Sequence, residues 1–123
     1  MGGYHHAELL VQYSAPDTNV NAVYTAPGMH NHVYVTEIRV NCRVGGAAKT
    51  FTVWFVPTGA AASGPFIIVT DSVGGAKALH EHIVNLGDWV LPGGGKIYFQ
   101  EAAVGAGLDL NIHITGQVES YGS

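Results

Sequence analysis

Histidines at positions 30 and 32, followed by Glu37, form the grouping in this chain most able to do chemistry. Neutral imidazole and carboxylate are ordinary ligands of Zn²⁺ and Fe²⁺. On a strand, side chains at i and i+2 point to one side, so His30 and His32 can grip one ion. Strict alternation puts Glu37 on the opposite face from His32 unless a bulge intervenes. The "HEH" run ending at His82 repeats the geometry through His80, and His113 stands apart. In an assembly, His30–His32 pairs from several chains around an axis would surround one ion. Against these readings, strand histidines in a β-rich chain are ordinarily solvent-facing or interface residues. That is the expectation adopted: no metal, no cofactor and no catalytic residue.

Other reactive patterns are thinner. The serines Ser14, Ser63, Ser72, Ser120 and Ser123 sit in no nucleophile elbow. The runs "GGAAK", "SVGGAK" and "PGGGK" place lysine after glycines, but none follows the phosphate-loop spacing. They read as hairpin turns. Asp71, Asp88 and Asp109 are far apart in sequence and make no acid pair. Trp54, Trp89, Tyr98 and Phe99 would make a sugar-stacking platform if they shared a face, although such residues are more often core or interface. Cys42 excludes an internal disulfide, being the sole cysteine. It falls in phase with Ile38 and Val40 and reads as a small buried hydrophobe.

The elements that would hold these residues are strands. Seventeen glycines punctuate the chain. Strand-like runs alternate with turn clusters over 8–14, 20–26, 32–44, 50–57, 65–70, 78–86, 96–101 and 108–118. The last run alternates cleanly, with Leu108, Leu110, Ile112 and Ile114 on one face. The fourth, "TFTVWFVP", is apolar on both faces, so it is central or covered. The sixth also fits helical spacing, with strand slightly ahead. This pattern predicts an all-β fold: a single-domain antiparallel β-sandwich or jelly roll of about eight strands. Residues 1–123 form the domain, with 1–7 as a candidate extended N-terminal arm.

Composition narrows the function classes. Charged residues make up 11% and apolar residues 47%, whereas soluble domains average about 25% charged. So little charge suits a chain that buries surface against neighbours. A formal net charge of −4 with five Lys and Arg disfavours nucleic acid and anionic membrane. No apolar run approaches the roughly 18 to 20 residues of a spanning helix. The start "MGGYHHAELLVQY" lacks the pattern of a signal peptide, and His6 stands where myristoylation wants Ser or Thr.

The residues resemble two families. His30, His32 and Glu37 resemble the first metal motif of the cupins, which are also small β-barrels, with Gly45 near that motif's glycine. The second cupin motif is filled by Gly87, Pro92 and Gly94, but Ile97 stands in the place of its histidine. A wider pattern is similar to small all-β virion proteins of tailed bacteriophages. It comprises "YTAPG" at Tyr24–Gly28, "VTEIRV" at Val35–Val40, "TFTVW" at Thr50–Trp54, "VPTG" at Val56–Gly59 and "WVLPG" at Trp89–Gly93. That resemblance spans roughly Val23 to Gln100 and carries no catalytic residue. The Asp usual after its Pro-Gly turn is replaced by Gly94.

The phage resemblance implies a structural, non-enzymatic role in a virion. It favours a homotrimeric capsid decoration or cement protein on the outer capsid surface, bound to the major capsid protein or to tail or portal-vertex proteins. A tail, collar or fibre-attachment protein, potentially glycan-binding, is the alternative, and a cupin-like metal-binding protein the third reading. Candidate interface residues are Tyr4, Leu9 and Leu10 in the N-terminal arm, with Trp54 and Trp89 as anchors because Trp is enriched in hot spots. The loops at 58–65 and 102–107 are further contact candidates.

Overall fold

The structure, a computed structural model, describes residues 8–14, 17–28, 31–42, 49–57, 60–73, 81–102 and 110–120; the side chains of Cys42, Lys49, Asp88, Ala102 and Ser120 fall outside that description. The strands are β1 (Glu8–Ser14), β2 (Asn21–Thr25), β3 (Asn31–Cys42), β4 (Lys49–Val56), β5 (Ile67–Val73), β6 (Glu81–Pro92), β7 (Lys96–Ala102) and β8 (Leu110–Ser120), with a 3₁₀ turn at Gly64–Phe66. They form two four-stranded sheets, β1-β8-β3-β6 and β2-β7-β4-β5. Every ladder is antiparallel. Apart from the β4–β5 hairpin, each successive strand changes sheet. This alternation is the double-sheet jelly roll.

The core lies between the sheets. β3 contributes Val33, Val35, Ile38 and Val40, and β8 contributes Leu110, Ile112 and Ile114. Facing them are Phe51, Val53 and Phe55 of β4 with Ile97 and Phe99 of β7. The Phe51 and Phe99 rings lie 6.3 Å apart. Full burial of each such side chain is worth about 1.5–3 kcal/mol. Glu101 shares the inward phase of Ile97 and Phe99 and is fully buried. Its Oε1 accepts the Leu110 backbone N–H at 3.3 Å, tying β7 of one sheet to β8 of the other.

The inward positions of β3 change parity between Val35 and Ile38. A bulge at Thr36 causes this: Val35 pairs Gly116 and Glu37 pairs the adjacent Thr115. β1 has its own irregularity between Leu9 and Val11, at the same level of β8. On the other side, Val35 pairs Trp89 while Glu37 pairs Asn85, so Leu86, Gly87 and Asp88 oppose Thr36. Gly87 adopts φ 60°, which glycine accepts at low cost. These irregularities line up across the sheet, and bulges bend strands. The glycine in "NLGDW" therefore does not end the sixth strand at Leu86 as expected. It bulges the strand, which runs on to Pro92.

Two turns dock at one end of the sandwich. Pro92–Gly95 closes a turn in which Gly95 N–H donates to Pro92 O at 2.9 Å. Gly94 has φ 82°, the third-position value of a type II turn. That conformation gives a physical reason for glycine where the phage pattern has Asp. Gly94 N–H also donates to Ala26 O at 3.1 Å, and Ala26 N–H to Gly95 O at 2.8 Å. A Cβ on Gly93 would sit 2.5 Å from Gly28 O. The turns "APG" and "PGGG" are thus held together by backbone contact.

At Gly116 a Cβ would sit 2.2 Å from the Tyr34 carbonyl oxygen. Gly116→Ala is therefore expected to destabilise the fold by about 3 kcal/mol, the upper end of ordinary overpacking costs. Gly64→Ala, with nothing within 4 Å of the new methyl, should leave the urea midpoint within error of the parent. Equal midpoints for the two variants would contradict the close approach.

Candidate functional site

Polar chemistry gathers on the outer face of the β1-β8-β3-β6 sheet. The Thr36 bulge puts Glu37 there beside Arg39 and Asn41, on the same face as His32 and Tyr34. A shallow groove of about 310 Å³ is lined by Leu9, Glu37, Arg39, Asn41, Glu81, His113 and Thr115. Its groups pair with one another. Arg39 lies 3.2 Å from Glu37 and 3.5 Å from Glu81. Asn111 donates to Asn41 Oδ1 at 3.4 Å, Asn41 Nδ2 lies 3.4 Å from His113 Nδ1, and Ser14 donates to Asn111. All but Arg39–Glu37, which lies within β3, are cross-strand pairs, each worth roughly 0.2–1 kcal/mol.

Toward the start of β3, Tyr34 donates its hydroxyl to Glu119 at 3.2 Å and lies 3.1 Å from His32 Nε2. His32 Nε2 is 3.7 Å from the same carboxylate. Partial burial, then the hydrogen bond and charge of Glu119, push the Tyr34 phenol above its ordinary range. Burial, with Glu8 second, does the same for Tyr24. Burial followed by Asp17 raises Tyr13.

The candidate metal ligands are dispersed. His32 and Glu37 share a face but lie on one continuous strand, about 16 Å apart along it. Ligands of one ion lie within roughly 4 Å of each other. These two therefore cannot share a metal within a single chain. His82 turns inward instead, its ring 5.5 Å from Phe51 and its Nδ1 3.5 Å from Asp71 of the facing sheet. Among the described residues no group of three or more His, Cys, Asp and Glu converges on a metal-sized site. His30 and His80 lie outside the described residues.

Apolar surface gathers elsewhere, at the seam where the edge strands β5 and β6 face each other. A cleft of about 240 Å³ opens there between Phe55, Phe66, Ile67, Ile68, Trp89, Val90 and Leu91, with Pro57, Pro65 and Pro92 at its rim. No lining residue is charged. Trp89 is 48% exposed and leans on Phe55, with ring centroids 5.6 Å apart. Ile67 and Val90 are similarly exposed, and Ile83 is exposed further along β6.

The interface candidates part company here. Trp89 lies on the open seam. Trp54 alternates to the outer side of its sheet yet is only 8% exposed, so it offers a partner little surface. Leu9 is exposed on β1, whereas Leu10 packs partly against the core. Tyr4 lies outside the described residues, as do the side chain of Cys42, residues 58 and 59, and residues 103–107. The sugar platform does not form: Trp54 and Phe99 are buried, and Trp89 belongs to the opposite sheet from Tyr98. Sequence reading missed Glu101, whose shared phase with Ile97 and Phe99 was the available signal, and the Tyr34–Glu119 pair, which only the β3–β8 register brings together.

No protein-family model and no curated protein matches the chain. Among solved structures it is similar to a chain in the structure of infectious bursal disease virus, Gt strain, with a TM-score of 0.40 and 12% identity. The match covers 92% of this chain and 32% of that one, so the present chain spans about a third of the length of its neighbour. The jelly-roll assignment rests on the strand order rather than on this likeness.

The raised phenols set an alkaline limit. Unfolded tyrosines ionise near pH 10, while Tyr13, Tyr24 and Tyr34 hold their protons longer in the fold. Their contribution is fully present below the unfolded value and is lost as pH rises through the folded ones. Absorbance titration at alkaline pH should show a set of late-titrating phenols in the native protein and none in denaturant. A single common transition in both would refute the assignment.

Proposed function

We propose that this chain is a structural protein of a virus particle that works by surface contact rather than by catalysis. The observation that carries the reading is the uncharged cleft at the β5–β6 seam, with Trp89 half exposed at its lip. Trp is enriched among the residues that anchor protein contacts. The polar face, by contrast, spends its groups on cross-strand pairs. The turn-and-strand motifs similar to tailed-phage virion proteins support the particle context. Of these motifs, "YTAPG" forms the end of β2 and its docked turn, and "WVLPG" the end of β6 with the glycine after it.

In its finer form the proposal is a capsid decoration or cement protein on the outer capsid surface, bound in multiple copies to the major capsid protein. Many modest contacts repeated over a lattice give avidity without high affinity at each site. The chain should then be present in purified particles of the virus that encodes it, in many copies, and accessible to antibody from outside. Particles lacking it should lose their genome at lower temperature. Adding back the parent protein should restore stability, and Trp89→Ala should restore it at least tenfold less effectively by concentration. Absence of the chain from purified particles would overturn the reading.

A further inference from the structure

β6 is the terminal strand of its sheet, and among the described residues no strand pairs with its outer edge. It is 12 residues long. Natural edge strands are usually short, or guarded by charge, proline or a bulge, and β6 has the Leu86–Asp88 bulge and Pro92 at its end. Between Glu81 and Pro92 this one has no Lys or Arg, and Ile83, Trp89 and Val90 are all exposed. Such an edge is a template for another strand.

We propose that the partner is a second copy of this chain, joined by antiparallel pairing of β6 with β6 across a two-fold axis. The register follows from the strand itself. Paired residues of an antiparallel ladder must lie on one face of the sheet. The bulge at Leu86–Asp88 reverses the phase of β6, so His82 and Val84 point inward before it and Trp89 and Leu91 point inward after it. An axis between Leu86 and Gly87 then sets Ile83 against Val90 and Val84 against Trp89 of the second copy. It also sets Glu81 against Pro92 and Asp88 against Asn85. Ile83 with Val90, Val84 with Trp89 and Glu81 with Pro92 each share a face.

Each exposed apolar residue of β6 gains an apolar neighbour in this register, and neither acid meets an acid. The bulge interrupts the ladder at the axis and leaves a paired stretch on each side. The area is sufficient. A strand of this length runs roughly 40 Å, and the edge of two stacked sheets with their outer side chains is roughly 20 Å wide. That strip approaches the roughly 800 Å² per partner of a standard specific interface. The contact is isologous and closes on itself. It produces dimers, or hexamers if a three-fold contact also forms.

The test is solution mass by light scattering at low ionic strength, and it does not depend on any particle. The parent should contain an even number of chains. Ile83→Glu with Val90→Glu sets acid against acid at both symmetry-related pairs and should halve the mass. Ile83→Glu with Val90→Lys sets opposite charges together and should keep the parent mass. Both positions lie on the outer face and are nearly half exposed, so circular dichroism should show both variants folded. A monomeric or trimeric parent would overturn the proposal, and so would two double variants of equal mass. The virion reading is judged separately, by presence in particles.

Discussion

The carbonyl of Tyr34 lies where a Cβ on residue 116 would have to be. Glycine at that position lets β3 and β8 approach as the sheet turns along the irregularities near Leu10, Thr36 and Gly87. Much of the architecture depends on that turn. It changes the phase of β3, so that Val33, Val35, Ile38 and Val40 all reach the core. It brings Glu37 to the solvent side beside Arg39. On β6 it turns Trp89 and Leu91 inward toward Phe55, which builds one wall of the seam cleft. A straight β3 would bury Glu37 and Arg39 between the sheets, and unpaired buried charge is among the costliest faults a core can hold.

Strand identity was largely legible because each strand alternates and each gap contains a turn residue. The expected bounds 8–14 coincide with β1, and the others fall within a few residues except at the sixth strand. Two of the failures share one cause. A glycine inside a strand reads as a stop, yet at φ 60° Gly87 makes a bulge and the ladder continues. The same blindness to bulges left the face of Glu37 open. Alternation assigns Trp54 to an outer face, but the apolar character of both faces of its strand already marked that strand as central or covered, and Trp54 is buried. Pairing between distant strands, which joins Tyr34 to Glu119 and His82 to Asp71, leaves no local trace in sequence.

The two surfaces of the molecule differ in chemistry. On the polar face, His32 and His113 take part in short cross-strand networks that fix the sheet, and His82 spans the seam to Asp71. These are contacts between strands of the sandwich, and His30 and His80 lie outside the described residues. The cleft between the two edge strands has no charged lining residue, and among the described residues no strand pairs with the outer edge of β6. In a chain with 11% charged residues, that distribution fits a component whose working state is an assembly.

The central claim is that the β5–β6 seam is the surface this protein covers when it works. Amide hydrogen exchange across β6, measured over a wide range of protein concentration, tests it most directly. On either side of the bulge, alternate β6 amides face β3 in the ladder and the others face the outer edge. The account predicts that these outward amides exchange slowly at high concentration and quickly on dilution, while those of the central strands β3 and β8 do not change. Fast exchange of the outward amides at every concentration, and in assembled particles as well, would contradict it.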